Sequence, residues 1–197
     1  MPPSHIRSSN YNSQLPKTLT MKLTFKDRKA PLDTKLYTDD GVALYHIHTP
    51  FLFHGTSTIT KLDQRSHSYQ MSNIELHALR SDSVTVGSQP VRGLSHSFTN
   101  RKVQFRGSDN YHYEWKNSSN GSMTLKSKWH SEVASYNPGN SGIFLSKRPA
   151  TLRIQSQGVY IADEIVATFA YALKRWEKSN HDHHHHRGNI DLSENLN

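Results

Sequence analysis

The segment Val159 to Lys178, VYIADEIVATFAYALKRWEK, constrains the fold more than any other part of the chain. On a helical wheel Ile161, Ala162, Ile165, Val166, Ala167, Phe169, Ala170, Ala172, Leu173 and Trp176 spread around the whole circumference, leaving almost no polar face. Such a helix needs apolar surroundings on most sides. Its uncharged stretch, Ile165 to Leu173, falls far short of the ~18 apolar residues of a membrane span, so protein must supply those surroundings. Gly158 breaks the preceding segment, and Asp163 and Glu164 put negative charge in the first turn. Lys174, Arg175 and Lys178 put positive charge in what reads as the last, as the macrodipole favours.

Upstream, the period is two. Met21, Leu23 and Phe25 alternate with Lys22, Thr24 and Lys26, the pattern of a half-buried strand. Similar segments recur at 34–38, 42–49, 56–62, 73–79, 83–86, 102–106, 111–116, 122–128, 132–136, 143–146 and 151–155. Turn chemistry separates them: Asp39-Asp40-Gly41, Ser108-Asp109-Asn110, Asn120-Gly121 and Asn137-Pro138-Gly139-Asn140. About a dozen short strands predict a mainly β barrel or sandwich, and the helix points to a sheet closed around it. The expected organisation is a disordered arm over residues 1–18, one domain over 19–178, and a disordered His-rich tail over 179–197.

The chain has 24 Lys plus Arg against 16 Asp plus Glu, a formal charge of +8, which favours anionic partners: phospholipid headgroups, acidic proteins or nucleic acid. The absence of cysteine excludes disulfides, thiolate metal sites and a cysteine nucleophile. The N-terminus lacks the apolar core of a secretory signal, so a cytoplasmic, membrane-peripheral or nuclear location is expected. Asn117 and Asn120 match glycosylation acceptors formally and read better as turn residues.

Two patterns carry candidate chemistry. Along 102–128, alternation assigns Val103, Phe105, Tyr111, Tyr113, Trp115, Met123, Leu125 and Trp129 to the core side of a three-stranded meander. Lys102, Arg106, Lys116, Lys126 and Lys128 then share the outer face with one carboxylate, Glu114. These five cations are the candidate ligand-binding residues, and the alternative is an ordinary solvated exterior. His46 and His48 lie on one side of a strand, where positions i and i+2 can share a metal, but spacing places no third ligand and no metal site is assigned. The tail run His181, His183, His184, His185 and His186 would bind nickel or zinc weakly in any flexible peptide. There is no Gly-x-Ser-x-Gly, phosphate loop or His-Glu-x-x-His, so neither catalytic residues nor a cofactor are expected.

Several elements, taken in order, resemble a fungal domain family of unassigned function that belongs with the tubby C-terminal-like barrels, alongside phospholipid scramblases and LURP-one-related proteins. They are Pro31-Leu32-Asp33-Thr34-Lys35-Leu36, Gly41-Val42-Ala43-Leu44-Tyr45-His46-Ile47-His48-Thr49, Thr58-Ile59-Thr60-Lys61, Tyr113-Glu114-Trp115-Lys116 and Asp163 to Tyr171. The resemblance covers about residues 19–178. It implies a closed antiparallel barrel of twelve strands around a hydrophobic C-terminal helix. Tubby itself binds phosphoinositides through a basic pocket, but none of those ligands aligns with a position here, so no functional residue is carried over. The expected function is a non-catalytic binding module for anionic phospholipid, or alternatively for an acidic protein partner. Nucleic acid is disfavoured because the meander's aromatics are assigned to its core side.

Overall fold

The computed structural model describes residues 20–50, 56–63, 67–77, 81–129, 131–140 and 148–190, with side chains described as far as residue 181. Among the described residues, thirteen antiparallel strands form one sheet: β1 (Met21–Phe25), β2 (Thr34–Tyr37), β3 (Ala43–His48), β4 (Thr56–Leu62), β5 (Ser68–Glu75), β6 (Ser83–Val86), β7 (Gln89–Pro90), β8 (Arg92–His96), β9 (Lys102–Arg106), β10 (His112–Asn117), β11 (Met123–Ser127), β12 (Glu132–Asn137) and β13 (Thr151–Ile154). Their order in the sheet is β7-β6-β5-β4-β3-β2-β1-β13-β12-β11-β10-β9-β8. The first and last strands are neighbours, with Leu23 opposite Leu152. The two edges, β7 and β8, follow each other in the chain through Val91, so the sheet curls into a nearly closed barrel with one seam.

A 3-10 turn (Ser156–Ile161) leads into α1 (Ala162–Ile190). Every residue from Ile165 to Lys174 is buried, so the helix is enclosed on all sides, as its apolar circumference requires. Phe169 lies at the middle of this core, its ring centroid 4.7 Å from Tyr136, 5.8 Å from Phe25 and 5.9 Å from Trp115. The Trp115 indole donates to the Thr168 hydroxyl at 3.1 Å, and that hydroxyl donates to the Glu164 carbonyl, so the polar atoms beside the ring are satisfied. Gly158 permits the tight approach of the 3-10 turn: a Cβ there would lie 2.7 Å from Val133 and 2.9 Å from Ile165.

Several boundaries differ from the sequence pattern. The α-helix begins at Ala162 rather than Val159 and runs past residue 178 to Ile190. Lys174, Arg175 and Lys178 are therefore mid-helix residues and not a C-terminal complement to the dipole. Lys174 is fully buried and donates to Ser57 Oγ at 2.8 Å, which also accepts from Thr49. Burial pushes its pKa down, and nearby Lys178 adds to that, with Asp82 opposing. Arg175 engages Asp82, which also accepts from Tyr171 at 2.7 Å. The second guanidinium nitrogen of Arg175 meets His96 Nε2 at 2.8 Å. Asp82 precedes β6 and His96 ends β8, so Arg175 ties the two margins of the seam to the helix.

β5 begins five residues earlier than expected, and β7 and β8 carry no clear alternation because they are edge strands with exposed faces. The expected arm over 1–18 and the expected strand at 143–146 lie outside the described residues. Gly41, Asn110, Gly121 and Gly139 have positive φ, as their turn assignments require.

Candidate anion-binding face

The meander forms as expected. β9 alternates exposed and buried residues from Lys102 to Arg106, with Val103 and Phe105 inward, and Tyr113, Trp115, Met123 and Leu125 are also buried. Register sets Lys116 directly opposite Lys102, Glu114 opposite Gln104 and His112 opposite Arg106. On the other side of β10, Glu114 is paired with Lys126. Lys128 follows β11, its backbone N–H donating to the His112 carbonyl at 2.9 Å. A shallow groove of ≈ 290 Å³ runs over this face, lined in part by His112, Glu114, Lys116, Lys126 and Lys128.

Two acidic groups temper the charge. Glu114 accepts from Gln104 at 2.7 Å and sits 3.2 Å from the Lys116 ammonium. Burial acts to raise its pKa, but the Gln104 hydrogen bond and Lys116 outweigh it and hold the carboxyl below its ordinary value. Glu132, across a bulge, is the register partner of Lys126. Lys102 and Lys116 are directly opposite each other on an exposed surface, a like-charged cross-strand pair whose repulsion Glu114 offsets only in part, since one carboxylate faces two ammonium groups.

Arg106 stands apart from the other four. Its Nε donates to the Asn110 carbonyl at 3.1 Å, and its side chain lines a separate concavity at the seam. The sequence pattern misplaced two aromatics. Trp129 is 76 % exposed and Tyr111 51 % exposed, whereas alternation assigned both to the core. The error is physical: β11 ends at Ser127 and β10 begins at His112, so both residues lie in turns, where alternation does not apply. The His112–Lys128 backbone bond brings these turns together, so an exposed Trp and Tyr flank one end of the basic strands.

That end is anchored to the start of α1. Asp109 accepts from Tyr113 at 2.5 Å and from Tyr160 at 2.7 Å, and Glu164 accepts the Ser108 N–H at 3.0 Å. Asp163 accepts from Tyr45 at 2.6 Å and from Lys61 at 2.8 Å. The acid pair of the helix start thus fastens it to the barrel, beyond its effect on the macrodipole.

His46 and His48 lie with ring centroids 6.2 Å apart, and His48 Nδ1 meets Asp33 at 2.9 Å. Burial, Lys35 and His48 all push the His46 pKa down. Among the described residues no group of three or more His, Asp or Glu side chains is placed to hold a metal. No described helix is long and apolar enough to cross a membrane.

No curated protein and no solved structure matches the chain. A family match does cover most of the barrel and the enclosed part of the helix: over residues 29–178 the chain belongs to a family of unknown function, DUF6593.

Proposed function

We propose that this protein is a non-catalytic binding module that docks on anionic phospholipid surfaces through the outer face of β9–β11. The observation that carries the reading is the exposed Lys102–Lys116 cross-strand pair, flanked by Lys126 and Lys128. Close to a negative leaflet each such cation contributes about 1 kcal/mol. The exposed Trp129 and Tyr111 strengthen it, because amphipathic rings beside cations suit the headgroup layer of a bilayer. The non-catalytic reading is supported by Asp82, Asp109, Asp163 and Glu164, all of which are committed to structural hydrogen bonds. The enclosed helix supports the tubby-like relationship and so a place beside other barrels of that superfamily. A cytoplasmic, membrane-peripheral location accords with this reading.

The test is cosedimentation with vesicles of phosphatidylcholine alone or with phosphatidylserine, at two salt concentrations. Binding is expected only with phosphatidylserine and should weaken with salt, since screening at physiological ionic strength acts over ~8 Å. Lys102→Glu, Lys126→Glu and Lys128→Glu together should reduce binding about 100-fold or more, at roughly 1 kcal/mol for each cation lost and further repulsion from each carboxylate gained. The charge-matched control is Lys22→Glu, Lys35→Glu and Arg153→Glu on β1, β2 and β13. Equal losses would show that net charge alone matters. Exposed aromatics beside cations also suit single-stranded nucleic acid, which removes the reason given above for setting it aside. An oligonucleotide arm therefore belongs in the experiment, and binding to it with none to vesicles rejects the membrane reading.

A further inference from the structure

The barrel seam holds a pair of arginines whose arrangement the basic face does not explain. Arg92 on β8 is the register partner of Arg106 on β9. Both are tied to one turn: Arg92 Nη2 donates to the Gly107 carbonyl and to Asn110 Oδ1, each at 3.0 Å, and Arg106 Nε donates to the Asn110 main-chain carbonyl at 3.1 Å. Asn110, at φ 67°, presents both of its oxygens to the two guanidinium groups at once. They are thereby pre-oriented, and among the described residues neither forms an ion pair with a carboxylate. Each retains N–H donors beyond those the turn satisfies.

These side chains line a concavity of ≈ 520 Å³ whose apolar wall is Val86, Pro90 and Val91. That is within the range of small-molecule sites. Glu164 also lines it, and its carboxylate accepts the Ser108 N–H at 3.0 and 3.2 Å. Two guanidiniums and one carboxylate leave a single net positive charge. The charge matches a monoanion, and Glu164 disfavours phosphate, which carries roughly −1.5 to −2 at pH 7 as a monoester. Planar guanidinium groups take a carboxylate in a bidentate manner.

We propose that the seam binds a small organic carboxylate, its carboxylate on Arg92 and Arg106 and its apolar body on Val86, Pro90 and Val91. Among the five cations of the basic face only Arg106 takes part, so a test through Arg92 leaves the vesicle-binding reading untouched. The ligand joins the β6–β7 margin to the β8–β9 margin and closes the gap that the backbone leaves open.

The experiment is a titration of the full chain, followed by backbone amide NMR at pH 7.4, with decanoate below its micelle concentration. Decanol and inorganic phosphate are the comparison probes. Decanoate should give saturable shifts at Val86, Val91 and Arg92, with decanol and phosphate at least tenfold weaker. Arg92→Gln should weaken decanoate about tenfold or more, the scale of one charge-assisted hydrogen bond. Arg92→Lys should recover only part of this, because the planar fork is lost. Since Arg92 variants also loosen the Gly107–Asn110 turn, Glu164→Gln supplies a test of opposite sign. It keeps an acceptor for Ser108 and raises the net charge of the site, so decanoate should bind more tightly, a gain that structural damage would not produce. Absence of saturable decanoate shifts, decanol or phosphate binding as tightly as decanoate, or unchanged affinity in Glu164→Gln would each overturn the proposal.

Discussion

Replacing Phe169 by alanine tests how far the barrel depends on its helix. The ring is fully buried and meets the aromatic rings of Phe25, Trp115 and Tyr136 at centroid distances of 5.8, 5.9 and 4.7 Å. A buried Phe→Ala change costs ~3–5 kcal/mol, and aromatic pairs add ~0.5–1.5 kcal/mol beyond area burial, so the upper half of that range is expected. The neighbouring helix and strands are held from several sides and can collapse only partly into the space. For a domain of this size 1 kcal/mol shifts Tm by roughly 2–4 °C, giving a fall of about 10–15 °C. Thermal melts followed by near-UV circular dichroism read both stability and core packing. Thr168→Val, which deprives the Trp115 indole of its acceptor while nearly preserving shape, should cost less, about 1–3 kcal/mol. A Phe169→Ala protein with an unchanged midpoint and native near-UV signal would refute the argument that the helix is the keystone of the core.

Burial pushes the Glu177 carboxyl up to about 7. The folded state therefore binds more protons than the unfolded state between the ordinary value of 4.5 and about 7, and stability from this group falls as pH rises through that window. It lines a ≈ 340 Å³ concavity with Lys29, Asp33 and Asn180 and also bears on Tyr136, so melts of wild type and Glu177→Gln from pH 5 to 8 should diverge, with the variant the more stable at pH 8. A parallel pH dependence in both would show that Glu177 is not the titrating group. Gly158→Ala should destabilise by about 1–3 kcal/mol through its clash with Val133 and Ile165, measured by urea unfolding; a neutral result would mean that the 3-10 turn shifts freely. Trp129→Ala should leave the melt within ~0.5 kcal/mol of wild type while weakening vesicle binding, and unchanged binding would exclude the ring from the contact.

The helix was legible because its requirement is local: a segment apolar on every side has few soluble solutions. Four of the meander's cations, Lys102, Arg106, Lys116 and Lys126, were likewise legible as outward strand residues, since a period of two needs no knowledge of the partner strand, whereas Lys128 is exposed as a turn residue beyond β11. Grouping them into one patch required register, which separates Arg106 toward the seam and sets Glu132 opposite Lys126. Arg92 went unnoticed for the same reason. Its meaning lies in its pairing with Arg106 across β8 and β9, and β8 shows little alternation because it is an exposed edge. Trp129 and Tyr111 were misread because alternation was carried beyond the ends of their strands. Lys26, Arg28 and Lys29 look like scattered charges in the sequence, yet together with Arg148 they line a concavity of ≈ 310 Å³. They are accordingly unsuitable as a neutral charge-reversal control.

The pairing of β1 with β13 governs the order in which this protein can be made. During synthesis the first strand leaves the ribosome with one flank unpaired, and its partner does not exist until more than a hundred residues later, when Thr151–Ile154 emerges. The residues that fill the cavity, Ile165 to Lys174, come later still. Throughout elongation the concave side of a growing sheet is lined with Leu23, Leu36, Ile47, Ile59 and Val103 and has nothing to cover it. Long-range pairing of this kind is slow, and unprotected apolar strands invite association between nascent chains. The barrel can close only once this plug has emerged, which makes the arrival of Ile165 to Lys174 the point at which the polypeptide passes from chaperone client to finished barrel.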